Sequence, residues 1–437
     1  MVVQAGLDTP PTYDEASSPG SSTSQIFETH EEETAPPYSD APRYSAVFPL
    51  HGKPIQGCRA SRPLKTEHSF GPQNGGTPWV QLKCISRAAS SSKTPKFVGG
   101  DDIAGSILLD LASPTYISSI TIAVKGRVVT SSTDEGSYTI LDKTYTVWSK
   151  ALGNPRYASS TRNIKHKGNL EPGEYTWPFS FPFPTTFDYS DDSGPVGKKS
   201  YRTPQSFSEH DMPATVQYQL LLCIRRGALR PDKNIAVPII YTPKIIPDPP
   251  SLPRQLSYRV ARPLVGPSED PAGWTTLPVV TTYRRLSHSQ HSVKVDCQLS
   301  LANPMCYARG SVIPCWLTLQ SNDPAGLDAL ANSQAIRITL QRHVKYHPRV
   351  WWPSSVDQPP EESDIRIMEG ELHLSRGLQT TSDFPLFSVE YVINWFDFQS
   401  PDIHPKGGLK IPLLTQMITI ATFSASGPRI REYSIRT

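Results

Sequence analysis

The chain of 437 residues has little cysteine and no long apolar run, and both shortages exclude classes of protein. The cysteines have no Cys-x-x-Cys spacing, so the sequence predicts neither a zinc site nor a disulfide framework. No apolar run approaches the about 18 residues that a membrane-spanning helix needs. The six cysteines are Cys58, Cys84, Cys223, Cys297, Cys306 and Cys315. Those at 84, 223, 297 and 315 lie in apolar, strand-like patterns, where a free thiol behaves as a small hydrophobic side chain.

The sequence also lacks recognisable catalytic patterns. There is no Gly-x-Ser-x-Gly, no phosphate-binding glycine loop with a lysine, and no zincin motif. Residues 99–102 (Gly-Gly-Asp-Asp) are similar to a cyclase signature, but they precede a predicted strand and are interpreted as a turn. His288 and His291 have the spacing of metal ligands but lie in a serine-rich stretch without further ligands. We therefore expect no enzyme, no metal, no cofactor and no nucleic-acid partner.

Proline is abundant, with 44 residues spread along the chain, and this distribution favours many short strands joined by turns. Residues 1–78 are predicted to be a disordered tail, because they are rich in proline and small polar residues and lack apolar periodicity. The tail is acidic: residues 1–44 hold eight acidic side chains and one arginine. It has no secretory signal pattern, so we expect a reduced, cytoplasmic protein.

Beyond the tail, the pattern predicts two β-sandwiches. The first is predicted over 79–247, a proline-rich linker over 248–272, and the second over 273–437. Residues 188–211 are polar and are expected to form a mobile loop, and residues 323–331 are expected to form a short helix.

Two segments have the character of core strands in the first sandwich. Residues 170–184 contain a turn glycine followed by Pro-Phe-x-Phe-x-x-Pro, and residues 212–226 contain Pro-x-x-Val-x-Tyr-x-Leu and then a nearly continuous apolar run. This order resembles the amino-terminal domain of the arrestin superfamily. Residues 97–111 and 117–129 resemble the strands that precede it, and residues 273–278 and 293–319 resemble the start of the carboxy-terminal arrestin domain.

The resemblance implies an all-β fold of two immunoglobulin-like arrestin sandwiches in tandem after a disordered tail, and a role as an adaptor without catalysis. Visual arrestins sense phosphate through a buried polar core. Its charged residues have no match in this sequence, so recognition of phosphorylated receptor tails is not implied.

The tail contains a Pro-Pro-x-Tyr sequence at residues 10–13, with partial copies at 35–38 and 41–44. Paired prolines favour the polyproline II conformation, and a following tyrosine suits an aromatic-lined groove such as that of a WW domain. Proline-rich alpha-arrestins of the fungal type resemble this arrangement and use such motifs to recruit WW-domain ubiquitin ligases of the HECT class. Here the motif precedes the fold instead of following it. The predicted WW-binding residues are Pro10, Pro11, Tyr13, Pro36, Tyr38, Pro42 and Tyr44.

Together these features predict an adaptor that links cytosolic parts of membrane transporters or receptors to a ubiquitin ligase. Its expected location is cytoplasmic, with peripheral association at the plasma membrane or endosomes. The alternative is an endosomal sorting scaffold of the same fold that acts without a ligase. An enzyme or carbohydrate-binding sandwich is the third class, and it would normally show a secretory signal or a pair of carboxylates.

One kinase pattern stands out in the second half. Residues 284–287 read Arg-Arg-x-Ser, so Ser287 is a phosphorylation candidate, and phosphate there would add about −1.5 to −2 charges. Ser90 and Ser257 have weaker versions of the same pattern.

Overall fold

The alternating apolar residues form β-strands over most of the chain. The described residues of the computed structural model are 2–5, 65–72, 79–130, 136–157, 166–190, 198–210, 212–227, 230–286, 292–332, 335–346, 364–398, 403–404 and 412–431. The strands of the first half are β1 (Val2–Ala5), β2 (Thr66–Phe70), β3 (Val80–Ser86), β4 (Lys96–Val98), β5 (Asp102–Leu111), β6 (Thr115–Tyr116), β7 (Ser119–Val129), β8 (Ser137–Ser149), β9 (Asn169–Leu170), β10 (Gly173–Pro182), β11 (Thr186–Tyr189), β12 (Lys199–Arg202), β13 (Phe207–Ser208), β14 (Thr215–Arg225) and β15 (Lys233–Thr242).

The second half contains two helices and further strands in its described part. The helices are α1 (Leu252–Val260) and α2 (Pro324–Leu330). The strands are β16 (Trp274–Thr276), β17 (Val280–Leu286), β18 (Ser292–Ala302), β19 (Cys306–Ala308), β20 (Val312–Ser321), β21 (Arg337–Lys345), β22 (Asp364–His373), β23 (Ser382–Phe384), β24 (Phe387–Phe396), β25 (Ile403–His404) and β26 (Leu414–Ala421).

The first sandwich packs a four-stranded sheet against a six-stranded sheet. The smaller sheet has the order β10-β5-β3-β2, and the larger has the order β4-β15-β14-β7-β8 with β13 beside β14. Aromatic rings join the two layers: the rings of Tyr145 and Phe181 stack with centroids 4.0 Å apart, and Trp148 contacts Trp177 at 6.1 Å. The two predicted core segments therefore supply strands to opposite sheets, β10 to one and β14 to the other.

Strand alternation within β10 is as predicted. Phe181 is buried and Phe179 is half-buried on the same face, whereas Ser180 between them is exposed. Successive side chains of a strand point to opposite faces, so an apolar residue at every second position fills one side of the sheet. The same period in β14 buries Val216, Tyr218 and the apolar residues that follow them.

The second sandwich repeats the plan with different strand orders. One sheet runs β1-β21-β24-β26-β19 with β23 beside β24, and the other runs β22-β20-β18-β17-β25 with β16 beside β18. Its core includes Leu299 and Trp395, both fully buried. The prediction of an all-β fold with two sandwiches in tandem is confirmed.

Strands also occur within the range that was predicted to be a disordered tail. β2 pairs with β3 and completes the edge of the smaller sheet, so this sandwich begins before residue 79. The segment is polar, but its inward side chain His68 is fully buried and satisfied: Nε2 lies 2.8 Å from Ser86 Oγ, and Nδ1 lies 3.1 Å from the Ser91 carbonyl. The main chain of β1 pairs with β21 in the second sandwich. Neither strand has the apolar alternation that sequence patterns detect.

The prediction of a mobile loop at 188–211 is corrected, because parts of three strands lie within this range. β11 and β12 form an antiparallel hairpin, and β13 pairs with β14. Three aromatic side chains at 187, 189 and 201 stabilise this hairpin, with Phe187 and Tyr201 centroids 6.2 Å apart and Tyr189 and Tyr201 centroids 6.4 Å apart. The polar composition between them concealed the aromatic spacing.

The linker also contains a helix. α1 begins after the proline-rich stretch, with Ser251 as N-cap and Pro253 in the first turn, where a missing N–H costs nothing. The other helix, α2, lies where a helix was predicted and begins at the N-cap Asp323, whose carboxylate accepts from the Gly326 N–H at 3.0 Å.

Candidate functional site

The predicted motif residues lie outside the described residues. This holds for the WW-binding set of Pro10, Pro11, Tyr13, Pro36, Tyr38, Pro42 and Tyr44, and for the phosphorylation candidate Ser287. It also holds for His288 and His291. These assignments remain predictions.

The Gly-Gly-Asp-Asp sequence lies at the turn between β4 and β5. This agrees with its interpretation as a structural turn. Gly100 has a φ of 89°, which favours glycine over other residues. Asp101 accepts two hydrogen bonds from the Arg87 guanidinium, at 2.6 and 2.7 Å, and one from the Val98 N–H at 2.8 Å. The carboxylate is therefore used to hold the turn.

The two weaker kinase patterns have different environments. Ser90 lies in a half-buried loop position with its hydroxyl 2.9 Å from the Ser92 hydroxyl. Ser257 lies on the inward face of α1 and is 5% exposed. A kinase needs its target serine in an accessible, extended segment, so Ser257 does not suit this chemistry.

A groove of 670 Å³ lies on the outer face of the larger sheet of the first sandwich. It is lined by β7, β8, β14 and β15 together with residues 206–208. Gln217 lies opposite Arg127 on the neighbouring strand, and Gln219 lies between Lys125 and Pro238. These outward positions alternate with the buried residues of the same strands, so the core pattern itself arranges a row of polar side chains along the groove.

The floor of the groove is closely packed at Gly126. A Cβ at this position would lie 2.6 Å from the Tyr218 ring, so only glycine allows the ring to pack there. The Tyr218 hydroxyl donates to the Pro204 carbonyl at 2.8 Å, and burial raises the pKa of this phenol well above its usual value. Phe183 and Tyr241 stack on each other at 4.1 Å beside it. The neutral, packed ring supports the surface above it.

The groove presents polar side chains of both charges. Lys125 Nζ lies 3.1 Å from Asp142 Oδ2, and both side chains are substantially exposed, so the pair contributes little to stability. Arg127 is exposed, and no ion pair to it is seen among the described residues. Guanidinium and amide groups beside the apolar Pro238 and Ile240 suit an extended polypeptide that offers carbonyls or carboxylates.

The two sandwiches meet through a bidentate ion pair. Arg342 on β21 donates from Nη1 to Glu209 Oε1 at 2.7 Å and from Nη2 to Oε2 at 2.8 Å. The Arg342 side chain is 16% exposed and the Glu209 side chain 32%, so the pair is partly shielded from water. A shielded, two-point contact of this kind fixes orientation as well as distance.

An aromatic cluster and hydrogen bonds complete this junction. The fully buried Phe384 of the second sandwich contacts three rings of the β11–β12 hairpin edge to face, with centroids 5.0 to 5.6 Å away. Gln205 Oε1 accepts from the N–H and the hydroxyl of Thr380, both at 3.2 Å. The hydroxyl of Thr422 donates to the Pro243 carbonyl. The segment predicted to be a mobile loop therefore connects the sandwiches.

Sequence reasoning missed the groove and the junction. For the groove, the available signal was the polar residue at every second position of β7 and β14. The junction gave no local signal, because Glu209 and Arg342 are 133 positions apart in the chain. Within the described ranges, neither α1 nor α2 has the length and hydropathy to cross a bilayer. The same ranges contain no cluster of three or more His, Cys, Asp or Glu side chains able to hold a metal ion.

Part of the chain matches a known protein family. Residues 89–224 match the family model of the arrestin (or S-antigen) N-terminal domain. No curated protein matches the chain at a significant level. The matched region runs from the turn before β4 to the end of β14 and includes Lys125, Arg127, Gln217 and Gln219 of the groove. The matched part of the first sandwich is thus similar to an arrestin N-terminal domain, in agreement with the resemblance seen in the sequence.

Proposed function

We propose that this chain is a non-catalytic adaptor that links cytosolic segments of membrane transporters or receptors to a WW-domain ubiquitin ligase of the HECT class. The observation that carries the proposal is the arrestin N-terminal domain at residues 89–224, which supports an adaptor or scaffold role in trafficking. The proposed location is cytoplasmic, with peripheral association at the plasma membrane or endosomes.

The groove is the proposed cargo surface. It lies largely within the matched arrestin domain, its floor is closely packed, and its polar row offers donors to an extended segment. Arg127 supplies the exposed positive charge, and Gln217 and Gln219 supply amides on the same face. A cytosolic tail of a membrane protein has the carbonyls and side chains to satisfy such groups.

The Pro-Pro-x-Tyr motif is the proposed ligase contact. Binding both cargo and ligase on one chain raises their effective mutual concentration to the order of millimolar for short flexible connections. The ligase performs the reaction, and this chain brings the substrate to it.

The ligase contact is tested with the full chain and a purified WW domain. Wild type should bind with a micromolar dissociation constant, on the order of −8 kcal/mol, because a short anchor rarely supplies more. Tyr13→Ala should abolish this binding, whereas Tyr38→Ala and Tyr44→Ala serve as matched controls with smaller effects. Equal binding by wild type and Tyr13→Ala would remove the ligase from the proposal and favour the ligase-independent sorting scaffold.

The cargo surface is tested by site-specific photo-crosslinking in cells. A crosslinking amino acid at Gln217 should capture membrane proteins, and the same group at Glu174, exposed on the other sheet, should not. Arg127→Glu should reduce the yield from Gln217. If the yields from the two sites are the same, the groove is not the cargo surface.

A further inference from the structure

Helix α1 exposes its aliphatic residues and buries polar ones. Leu252 is 80% exposed, Leu256 58% and Val260 50%. Their spacing of four residues places them in one stripe along the helix. A surface helix normally turns such a stripe toward the core. The stripe of α1, meaning Leu252, Leu256 and Val260, instead faces outward.

The opposite side of the helix is fixed to the second sandwich. Arg254 is 3% exposed and donates from Nη1 to the Asn303 carbonyl at 2.7 Å and from Nη2 to the Gly273 carbonyl. Its guanidinium also lies 4.7 Å from the centre of the Trp274 ring. Tyr258, one turn along, is 2% exposed. These contacts hold α1 in place without its aliphatic residues, so the outward stripe does not maintain the local fold.

The chain segment that carries the stripe is basic. Arg259 is exposed and projects close to Leu252 and Leu256 on the helical wheel, and Arg262 is exposed just beyond the helix. Residues 252–264 contain no acidic side chain; along the chain, the nearest ones on either side are Asp248 and Glu269.

The carboxy-terminal segment adds to this charge. Gly427 lies beside the Gln255 side chain of α1, and Pro428 and Ile430 line a small cavity together with Arg254. Arg429 and Arg431 in this segment are exposed. Two separate parts of the chain thus place exposed arginines in the neighbourhood of α1.

We propose that α1 docks this protein on an anionic membrane, with the stripe entering the headgroup region and the arginines binding acidic lipid. An aliphatic stripe beside basic residues is the pattern of helices that lie in the membrane interface. Juxtamembrane arginines gain energy from the negative potential of acidic lipids. Three aliphatic side chains on a convex helix also present far less surface than the roughly 1,600 Å² that a stable protein interface buries.

This membrane contact is independent of the ligase proposal, because it needs neither Tyr13 nor a WW domain. It gives an adaptor a means of holding the membrane while the groove on the other sandwich stays available to cargo. If the WW-domain test fails, the membrane proposal is unaffected. If the vesicle test fails, the ligase proposal is unaffected.

The test is flotation of the full-length protein with lipid vesicles. Wild type should float with phosphatidylcholine vesicles that contain roughly one-third phosphatidylserine, and much less with phosphatidylcholine alone. Added salt should weaken the binding, since screening reduces the lipid contribution. The double variant Leu252→Ser, Leu256→Ser should lower the partition constant by at least about tenfold. A tenfold change requires no more than the free energy of burying one leucine side chain, and this variant removes two. Arg259→Glu should lower it several-fold.

Matched variants separate the stripe from general surface effects. Leu152→Ser removes a leucine that is 67% exposed on the first sandwich and should leave flotation unchanged. Tyr13→Ala should also float like wild type. Melting temperatures of all variants should agree with wild type, because the stripe contributes little to folding.

Three results would overturn the proposal. The first is a wild type that does not float with the acidic vesicles. The second is equal flotation of wild type and the double leucine variant. The third is a dimer of wild type in sedimentation velocity that Leu256→Ser dissociates, since the stripe would then be covered by a second copy of the chain.

Discussion

Helix α2 turns Leu327 and Leu330 into the second sandwich, where they are 0% and 1% exposed, whereas helix α1 turns Arg254 and Tyr258 inward. Both helices begin with a capped first turn that contains proline. They differ in what holds them to the sheets: apolar burial for α2, and hydrogen bonds and ring contacts for α1. The spacing of aliphatic residues in a short helix therefore does not determine which side is buried.

The reason lies in the groups that each helix meets. α2 packs beside β18, where Val293 lies so close that a Cβ on Gly326 would come within 2.7 Å of it. α1 lies over main-chain carbonyls of residues 273 and 303, which need donors when they are buried. A guanidinium satisfies two such acceptors at once, and a leucine satisfies none. The aliphatic residues of α1 are then left to face outward.

Substitution of a buried leucine of α2 should cause the greatest loss of stability. Leu327→Ala should lower the free energy of unfolding by about 3 to 5 kcal/mol, because it leaves a cavity in a fully buried position. Chemical denaturation monitored by tryptophan fluorescence measures the change. Asp328→Ala, which removes an exposed ion pair with Arg366, is the control and should cost about 0.5 kcal/mol or less. If the two losses were equal, apolar burial would not be what attaches α2.

The next largest loss of stability is expected from a substitution on the polar side of α1. Arg254→Met keeps a long side chain but removes the donors to the Gly273 and Asn303 carbonyls and the contact with the Trp274 ring. We expect a loss of about 2 to 4 kcal/mol in unfolding free energy, because buried acceptors are left without partners. The matched control is Arg259→Met, on the exposed side of the same helix, which should be nearly silent. A silent Arg254→Met would mean that α1 is held by other contacts.

These differences set the limit of what the sequence could predict. α2 was predicted, because an Asp-Pro cap and two leucines three residues apart are local signals. α1 was not predicted as a helix, because the prolines before it indicated a linker and its inward residues are polar. The burial of Arg254 depends on carbonyls 19 and 49 positions away, which only the folded sandwich brings together.

The same division applies to the sandwiches and the candidate site. Alternation predicted the core strands and the side on which Phe181 lies, since period two is visible within one strand. The groove depends on which strands become neighbours, and β14 meets β7 across almost a hundred residues. The β11–β12 hairpin, whose rings contact Phe384, was predicted to be a loop, because its aromatic residues are separated by a polar stretch.

A smaller loss of stability is expected from a substitution at the N-cap of α2. Asp323→Ala removes the acceptor of the Gly326 N–H and should cost about 1 kcal/mol. Asp323→Ser retains an acceptor at the same position and should recover most of that loss. Thermal denaturation of the three proteins provides the measurement. A full loss in the serine variant would show that the carboxylate acts through its charge and not through the cap.

The smallest change in stability is expected from a substitution in the outward stripe of α1. Leu256→Ser exchanges a side chain that is 58% exposed, and the free energy of unfolding should change by less than about 0.5 kcal/mol. The same substitution should weaken vesicle binding, so one variant separates folding from docking. Denaturation curves of Leu256→Ser and Leu327→Ala, recorded side by side, test this directly. If the two variants lost similar stability, the stripe would be part of the folded core, and its exposure could not serve to bind a membrane.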